Sequence, residues 1–343
     1  MKLLFTADVH LSSAFGAEDS ALRNRELLAV FKSIIDSAKT ENVDAVILGG
    51  DLFDTPAPDE ITVSQVKAAI ENSGIPTYAI AGNHDPLNDT AFYSDPPKNM
   101  FVFSGDVQSV DIGGVTLVGA SVKTKTDYRN IFDGIAVPGG CILVCHGSIG
   151  SESGHFLERF AIENSGASIC LMGHIHKTEC FEWQGVRALY CGSPAGRGFD
   201  ETGEHGYYII DTELKIFTYR KTDAKIYNEY TVDITDCANP SDIVAKLQAL
   251  TVSKNEVARA VLVGQTDGSF YIDCKGIASF TEFFEVKDST KICEDIFKNE
   301  NSDTLEGEFI RILKSRLESA DETEKQKIND AIKEGITLLR SSK

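Results

Sequence analysis

The few histidines of this sequence are concentrated in short motifs. Five of the seven lie in DVH at residues 8–10, GNHD at 82–85, CHG at 145–147 and GHIH at 173–176. A further motif, GGDLFD at residues 49–54, adds a carboxylate between the first two. Side chains of Asp, His and Asn together can hold two adjacent divalent cations. The pattern therefore predicts a dinuclear metal site.

The spacing of these residues indicates how two cations would share them. Asp51 follows the strongest apolar run and is the candidate bridging ligand, because one carboxylate can bind both ions. Asp8 and His10, two residues apart, can reach a single cation. His174 and His176 have the same spacing, so each can serve a different cation.

Two further residues complete the candidate ligand set. Asn83 offers a neutral carbonyl oxygen, and His146 offers another imidazole. A set of nitrogen and oxygen ligands without thiolate suits manganese, iron or zinc better than magnesium or calcium. We therefore expect two divalent ions, with manganese as the first choice.

His84 is assigned a different role, because it adjoins the proposed ligand Asn83 and would point toward the substrate. A histidine there can donate a proton to a departing oxygen or stabilise charge on a phosphoryl group. Asp85 follows it and would hold the imidazole in one tautomer. His84 and Asp85 are thus the candidate catalytic residues, and the sequence predicts a metal-dependent phosphoesterase.

The elements that position these residues are predicted from apolar runs and helical spacing. Two helices are predicted, over residues 21–39 and 60–71, with Leu22, Leu28, Phe31, Ile35 and Ala38 on one face of the first. A loop is expected at residues 85–98, which contain three prolines. The runs that favour strands are Leu3–Thr6, Val43–Leu48, Thr77–Ala81, Val115–Ala120, Ile142–Cys145, Ser168–Met172, Ala188–Cys191 and Tyr207–Asp211.

This alternation of strands and helices predicts an α/β core. Every candidate ligand follows the C-terminal end of one of the apolar runs. At that edge of an α/β sheet the loops converge on a common crevice where ligands bind. The shared edge is the main reason to treat the motifs as one site.

The chain length and a change in sequence pattern near residue 232 predict two domains. We expect a catalytic domain over residues 1–232 and a smaller C-terminal α/β domain with a helical tail over residues 233–343. In the second domain a helix is predicted over 242–250 and strands over 259–263, 269–274 and 282–286. The tail is predicted as a helix capped by Asp321 and Glu324, with an apolar stripe formed by Ile328, Ile332, Ile336 and Leu339.

Composition sets limits on location and partners. No run is apolar enough for a membrane span. Cys141, Cys145, Cys170 and Cys191 lie in or beside apolar runs, which predicts buried, reduced thiols in a cytoplasmic protein. The net charge of −19 opposes tight DNA binding by the chain alone, because nucleic-acid binders usually present a basic face.

The motifs DxH, GDxxD, GNHD, GH and GHxH, in this order, resemble those of the calcineurin-like metallophosphoesterase superfamily. The segments TADVHLSSAFG, VDAVILGGDLFDTPAP and YCGSPAGRGF resemble its bacterial DNA-repair exonuclease branch, which includes the nuclease subunit of the SbcCD complex and shorter relatives. The resemblance spans residues 1 to about 230 and returns in EFFEVKDST and TLEGEFIR.

The resemblance implies a two-sheet β-sandwich flanked by helices. It implies one metal held by Asp8, His10, Asp51 and His176, and another held by Asp51, Asn83, His146 and His174. His84 would be the catalytic histidine, and a metal-bridging hydroxide would attack phosphorus in line. The implied reaction is removal of nucleotides from a DNA end or nicking, with an SbcC-like ATPase and a second copy of the chain as partners.

Two other functions remain open from the sequence. The acidic balance and the short segment between His84 and His146 favour a phosphoesterase for nucleotides or nucleotide-linked metabolites. A non-catalytic scaffold is the third hypothesis, although every expected ligand type is present. Arg197 would contact substrate phosphate or form a surface salt bridge. His155 and His205 are expected to be solvent-exposed.

Overall fold

The computed structural model of the protein describes residues 1–14, 20–127, 129–132, 137–150 and 155–341. Its compact units are Met1–Arg197 with Gly203–Ile226, called unit 1, and Gly198–Thr202 with Tyr227–Lys343, called unit 2. The predicted division after residue 232 into a catalytic domain and a smaller C-terminal domain stays a prediction.

Unit 1 carries the strands that follow from the apolar runs, together with several that the runs did not indicate. Its helices are α1 (Ser20–Thr40), α2 (Glu60–Ser73) and α3 (Arg159–Asn164), with a 3₁₀ turn at Ala91–Ser94. Its strands are β1 Lys2–Thr6, β2 Ala45–Gly49, β3 Thr77–Ile80, β4 Met100–Val102, β5 Gln108–Ile112, β6 Val115–Gly119, β7 Ile142–His146, β8 Ser148–Ile149, β9 Phe156–Leu157, β10 Ile169–Gly173, β11 Glu179–Trp183, β12 Val186–Tyr190, β13 Gly206–Asp211 and β14 Ile216–Lys221.

Among the described residues, two six-stranded sheets dominate unit 1. The first has the order β14-β13-β1-β2-β3-β4 and the second has the order β11-β12-β10-β7-β6-β5. In the first sheet β1, β2, β3 and β4 are parallel. In the second, β6, β7, β10 and β12 are parallel. Antiparallel strands complete both sheets.

The sheets pack face to face because alternate residues of a strand point to opposite sides. In β1, Leu3 and Phe5 join a core cluster with Val144 and Leu171 of the second sheet, whereas Leu4 joins the cluster that contains the buried face of α1. The outer face of the second sheet packs against Ile162 of α3 and its neighbours. The predicted two-sheet sandwich flanked by helices is therefore confirmed.

Capping residues define both ends of helix α2. The Asp59 side chain accepts a hydrogen bond from the backbone N–H of Thr62 at the start of α2, and Gly74 ends that helix with φ +67°. In α1, the predicted residues Leu28, Phe31, Ile35 and Ala38 are buried. Leu22, predicted on the same face of α1, is 52% exposed.

Unit 2 contains shorter strands and a helical C-terminal part. Its elements are β15 Ile226–Asp233, α4 Pro240–Gln248, β16 Glu256–Val263, β17 Gln265–Thr266, α5 Cys274–Ser279, β18 Glu285–Asp288, β19 Lys291–Ile292, a 3₁₀ helix Glu294–Asn301, α6 Leu305–Ser319 and α7 Glu322–Ser341. Within the described residues of unit 2, no helix can span a membrane, and the same is true of unit 1.

The strand predicted at residues 269–274 was wrong. Gly268 has φ +72°, and the backbone N–H of Ser269 donates to the Asp267 side chain, so the chain turns there. Asp273 then caps α5 by accepting from the N–H of Gly276. Local side-chain hydrogen bonds outweighed the strand preference of the aromatic and β-branched residues in between.

The other expectations for unit 2 and for the cysteines agree better with the structure. The last predicted strand begins three residues and ends two residues later than expected, at Glu285–Asp288. The Asp321 side chain caps α7 by accepting from the N–H of Glu324, and Ile332 and Ile336 of the stripe are buried. The four cysteines predicted to be buried thiols are buried and free.

A stability prediction follows from Glu41, which links two strands of the first sheet. Its carboxylate accepts from Nε of Arg220 at 2.7 Å and from Nζ of Lys2 at 2.8 Å. The hydrogen bond from Arg220, then that from Lys2, lowers the pKa of Glu41 from 4.5 to about 2. These contacts therefore stabilise the fold above pH 4.5, and the stabilisation is lost as pH falls toward 2.

We expect Glu41→Gln to lower the free energy of unfolding at neutral pH, with a difference from wild type that shrinks below pH 4.5 and disappears near pH 2. Urea unfolding across this pH range measures the difference. Glu318→Gln, at an exposed glutamate of α6, is the control. A difference that is the same at every pH would contradict the prediction.

Candidate metal centre

The candidate ligands lie at the C-terminal ends of parallel strands from both sheets. Asp8 and His10 follow β1, Asp51 follows β2, and Asn83 and His84 follow β3 in the first sheet. His146 is the last residue of β7, and His174 and His176 follow β10, in the second sheet. Because both sheets direct these ends to one edge of the sandwich, residues far apart in sequence meet there.

The backbone at these strand ends is strained. Asp8, His10, Asp51 and His174 have φ values of 52°, 51°, 50° and 93°. Residues other than glycine rarely adopt positive φ, and such strain persists only where the surrounding structure holds it in place. Backbone hydrogen bonds from Asp8 to Gly50 and from His10 to Asp51 tie the first two strand ends together.

Gly82 allows Asp51 to lie close to the backbone of the neighbouring strand end. A Cβ atom at position 82 would lie 2.1 Å from Oδ1 of Asp51 and 2.5 Å from its backbone nitrogen. Any larger residue would displace the Asp51 carboxylate. The glycine of GNHD is therefore required by the packing of the site.

One group of ligand atoms comprises Asp8, His10 and His176, whose donor atoms all lie within 4.8 Å of one another. The Nε2 atoms of His10 and His176 are only 3.0 Å apart. The carboxylate of Asp8 also accepts hydrogen bonds from the backbone N–H of His174 at 2.9 and 3.0 Å. The three ligand atoms are therefore close enough together to bind one ion.

A second group comprises Asp51, His146 and His174. Oδ1 of Asn83 lies 3.0 Å from Nε2 of His146 and 2.9 Å from Nδ1 of His174. The amide oxygen thus joins the two imidazoles, and the structure brings all seven candidate ligands into two adjacent groups.

Asp51 lies between the two groups. Its Oδ2 atom is 3.7 Å from Nε2 of His10 and 3.3 Å from Nε2 of His146. Ligand atoms around one divalent ion with bonds of about 2.1 Å lie roughly 3 Å apart. The same carboxylate can therefore serve an ion in each group.

The site concentrates negative charge in a buried place. Asp8 and Asp51 are each 1% exposed. Burial raises the pKa of Asp8 against the opposing attraction of His146. Burial also acts on Asp51, but the charge of His146 and its hydrogen bond hold the pKa of Asp51 below its usual range. The carboxylates in turn raise the pKa of His146 to about 9 despite its burial.

The other imidazoles are suited to bind cations. Burial, followed by the nearby His146, lowers the pKa of His174 to about 3, and burial lowers the pKa of His10. Nδ1 of His146 lies 2.9 Å from the carbonyl oxygen of Gly49, and Nδ1 of His10 lies 2.8 Å from Oδ1 of Asp54. These acceptors hold the proton on Nδ1 and leave Nε2 of each ring toward the ligand groups.

His84 is arranged differently from these buried rings. Its side chain is 42% exposed, and its Nδ1 lies 3.3 Å from Oδ1 of Asp54. Its backbone N–H donates to Oδ1 of Asp51 at 2.8 Å, and its ring meets that of His10 edge-on. The hydrogen bond to Asp54 raises the pKa of His84, which favours the protonated, acid form. Its donor atom also lies within 4.8 Å of ligand atoms of His10 and Asp51.

Asp85 does not hold the His84 ring, contrary to the sequence prediction. It is fully buried and accepts hydrogen bonds from the backbone N–H groups of Gly82 and Phe53 and from the hydroxyl of Tyr93. Burial raises its pKa to about 7. The two neighbouring side chains differ in environment, one buried and one partly exposed, so Asp85 fixes the loop and Asp54 contacts the imidazole.

Arg197 contributes charge beside this group. Its Nη1 donates to Oδ1 of Asp54 at 2.9 Å, and its Nη2 lies 3.4 Å from Nδ1 of His176. The Arg197 side chain is 22% exposed. Of the two expectations, the salt bridge is present, and it lies next to the ligand groups.

Sequence reasoning missed two residues of the site. Asp54 was quoted only as part of GGDLFD, although its position three residues after Asp51 was a usable signal. His155 was expected to be exposed but is half-buried, with its ring 5.9 Å from that of His174 and Nε2 2.8 Å from the carbonyl oxygen of Lys125. His205 is also half-buried, beside Ser193, so the prediction that both histidines are solvent-exposed was wrong.

The donor set fits two divalent cations. It combines carboxylate and amide oxygens with imidazole nitrogens and contains no thiolate among the described residues. Its ligand atoms form two groups, and Asp51 lies between them. Two buried carboxylates with several neutral imidazoles need positive charge to offset their desolvation. Metal binding would supply that charge.

The chain is similar in sequence to several known proteins. The chain is 26% identical over 267 residues to the uncharacterized metallophosphoesterase YhaO of Bacillus subtilis, covering 70% of this chain and 64% of YhaO. It is 24% identical to the DNA double-strand break repair protein Mre11 of Sulfurisphaera tokodaii, over 96% of this chain and 92% of that protein. It is 32% identical to a subunit of the nuclease SbcCD of Escherichia coli K12, over 62% of this chain and 65% of that protein.

The chain thus spans less than two thirds of YhaO and of the SbcCD nuclease subunit. The family model of calcineurin-like phosphoesterases matches residues 1–178, more than half of the 343-residue chain. The matched segment includes all of the candidate ligands and ends just after His176. The chain therefore belongs to the calcineurin-like phosphoesterase family, as the sequence motifs predicted.

Proposed function

We propose that the protein is a dinuclear-metal-dependent phosphodiesterase that hydrolyses DNA phosphodiester bonds at or near DNA ends. The observation that carries the proposal is the place of Asp51, with one carboxylate oxygen 3.7 Å from the His10 nitrogen and 3.3 Å from the His146 nitrogen. A shared carboxylate is what a two-ion phosphoryl-transfer site requires.

In this proposal the ligand roles follow the two groups of donor atoms. One ion would be held by Asp8, His10, Asp51 and His176, and the other by Asp51, Asn83, His146 and His174. When bound, the ions would polarise the phosphoryl oxygens and lower the pKa of a nearby water. Manganese is the proposed metal, with iron or zinc as alternatives, because the ligands are nitrogen and oxygen.

His84 would act on the substrate. Its exposed ring and its contact with Asp54 support a role as general acid, because the carboxylate favours the protonated imidazole. Arg197 would bind a nonbridging phosphate oxygen through its guanidinium group. Asp85 is left with a structural role in holding the GNHD loop.

DNA as the substrate is supported by the names of two relatives, a DNA double-strand break repair protein and a nuclease subunit. By its name the second is one part of a complex, which supports an SbcC-like ATPase as a proposed partner. The net charge of −19 favours the alternative substrate class, nucleotides and related small phosphoesters, because those need no extended basic surface.

The substrate is tested with manganese-loaded protein and three substrates: end-labelled linear duplex DNA, end-labelled single strands, and a panel of nucleotides with bis-p-nitrophenyl phosphate. We expect DNA to be shortened from an end or nicked. Hydrolysis of the small esters with intact DNA would replace the DNA proposal with the alternative. No turnover of any substrate, with no metal bound, would favour the scaffold hypothesis.

The role of His84 is tested with His84→Ala. We expect kcat on the diester to fall by roughly 10²–10⁴-fold, the usual contribution of a general acid, while two metal ions remain bound. Steady-state kinetics and metal analysis of the purified protein measure the two effects. His205→Ala, at a half-buried histidine beside Ser193, is the matched control. Loss of metal from His84→Ala would instead make His84 a ligand.

The bridging role of Asp51 predicts a distinct metal stoichiometry. We expect Asp51→Asn to weaken binding of both ions, because each group loses a shared charged ligand. We expect His176→Ala to weaken one ion and His174→Ala the other. Isothermal titration with Mn²⁺ gives the number of sites and their affinities. If one of the two Mn²⁺ sites kept its wild-type affinity in Asp51→Asn, the bridging role of Asp51 would be contradicted.

A further inference from the structure

His155 lies beside the second group of ligand atoms and has no role in the proposed function. Its Nε2 lies 2.8 Å from the carbonyl oxygen of Lys125. A carbonyl oxygen only accepts hydrogen bonds, so Nε2 carries the ring proton and Nδ1 of the neutral ring is an acceptor. Nδ1 is buried and has no hydrogen-bond partner among the described residues. His155 therefore presents a buried acceptor that lacks a donor.

The neighbour that can supply a donor is His174. Buried polar atoms in native proteins are nearly always paired, so an unpaired one needs an explanation. Because solvent does not reach Nδ1 of His155, a substrate group would not reach it either. Within the described part of the chain, the one ring that contacts His155 is that of His174, with 5.9 Å between the ring centroids and 56° between the ring planes.

His174 has a ring nitrogen that needs an acceptor. Its Nδ1 lies 2.9 Å from Oδ1 of Asn83, on the side of the ligand group. When Nδ1 binds a cation, the ring proton resides on Nε2. A metal-binding histidine usually donates that proton to a nearby acceptor, which fixes the orientation of the ring. Among the described residues, Nε2 of His174 makes no hydrogen bond.

Two other proposed ligands already have such an acceptor. Nδ1 of His146 lies 2.9 Å from the carbonyl oxygen of Gly49, and Nδ1 of His10 lies 2.8 Å from Oδ1 of Asp54. Those rings face their ligand groups through Nε2. The His174 ring is reversed, with Nδ1 toward its group, so its acceptor has to lie on the Nε2 side.

The backbone of His155 is fixed relative to the strand that ends at His146. His155 has φ +57°, a conformation that persists only where the surrounding structure holds it. Its carbonyl oxygen accepts from the N–H of Ser148 at 2.9 Å, and its own N–H donates to the carbonyl oxygen of Asp127 at 3.3 Å. A Cβ atom at Gly147 would lie 2.2 Å from the His155 carbonyl oxygen, so glycine permits this close approach.

We propose that His155 is a positioning residue for the second ion, the one assigned to Asp51, Asn83, His146 and His174. Its Nδ1 accepts a hydrogen bond from Nε2–H of His174 and holds that ring with Nδ1 toward the ion. The inference rests on the proposed function, because it needs this ion. His155 acts through His174 and contacts neither the ion nor the substrate.

The geometry requires only a small movement to form this bond. Two imidazoles joined by an N–H···N hydrogen bond of about 3.0 Å have centroids about 5.3 Å apart, so the 5.9 Å of the structure needs a closing movement of about 0.6 Å. His174 is half-buried, whereas the backbone of His155 is tied down on both sides. The movement therefore belongs to the His174 ring.

The hydrogen bond is tested without turnover, by NMR of ¹⁵N-labelled protein loaded with two equivalents of zinc, which is diamagnetic. We expect Nε2 of His174 to be protonated and to show a scalar coupling through the hydrogen bond to Nδ1 of His155. The two rings are assigned by the loss of their signals in His155→Gln and His174→Gln. Two bound ions without this coupling, as when a water pairs with His155 instead, would overturn the inference.

Two substitutions of His155 separate positioning from a merely structural role. Asn places an acceptor oxygen near the position of Nδ1 but does not reach Lys125. Gln keeps a donor for Lys125 and has no acceptor near the position of Nδ1. We expect His155→Gln to weaken the second ion by about 10- to 100-fold, the usual effect of losing an outer partner of a ligand, and to leave the first ion unchanged. We expect His155→Asn to bind both ions as wild type does.

Isothermal titration with Mn²⁺ measures both affinities, and the ion weakened in His174→Ala identifies the second one. His205→Ala, at a half-buried histidine beside Ser193, is the matched control and should bind both ions normally. Weaker binding in His155→Asn than in His155→Gln would overturn the inference, because the bond to Lys125 would then be the one that matters. Equal weakening of both ions, or no change in either variant, would also overturn it.

These outcomes distinguish the inference from the proposed function. The coupling in a zinc-loaded protein whose manganese form leaves DNA intact would support the inference and contradict the DNA proposal. DNA hydrolysis by a protein that binds two ions without the coupling would do the reverse. A protein that binds no metal would overturn both. If His155→Gln failed to fold, the wild-type coupling would still decide the matter.

Discussion

The burial of two like charges, on Asp8 and Asp51, is the constraint on which the rest of this site depends. Both carboxylates are almost completely removed from water at adjacent strand ends. Such an arrangement is costly unless positive charge and hydrogen bonds offset the desolvation. The surrounding imidazoles, the strained backbone and the glycine at position 82 are the parts of the structure that hold the carboxylates there.

The sandwich explains why residues far apart in sequence can meet this constraint together. The parallel strands of both sheets end at one edge, so the segments that follow β1, β2 and β3 face those that follow β7 and β10. The core between the sheets is built from alternate strand residues, which leaves the strand ends free to carry polar groups. Fold stability and site geometry are thus assigned to different residues of the same strands.

Much of this arrangement was predictable from the sequence because its signals are local. An apolar run followed by Asp, His or Asn fixed the strand, its end and the ligand type, as for His146 at the end of β7. Side-chain partners were less predictable, since they depend on where neighbouring loops turn. Asp85 was expected to hold His84, yet it is buried under Tyr93, while Asp54 contacts the ring. The turn at Gly268 similarly overrode an apparent strand signal.

The central claim is that Asp51 is shared by two metal ions. Anomalous diffraction from crystals grown with manganese tests it most directly, because the anomalous signal locates each ion without reference to the ligands. The account predicts two peaks, one beside Asp8, His10 and His176 and the other beside Asn83, His146 and His174, with the Asp51 carboxylate between them. A single peak, or a peak coordinated by His84 in place of Asp51, would contradict it.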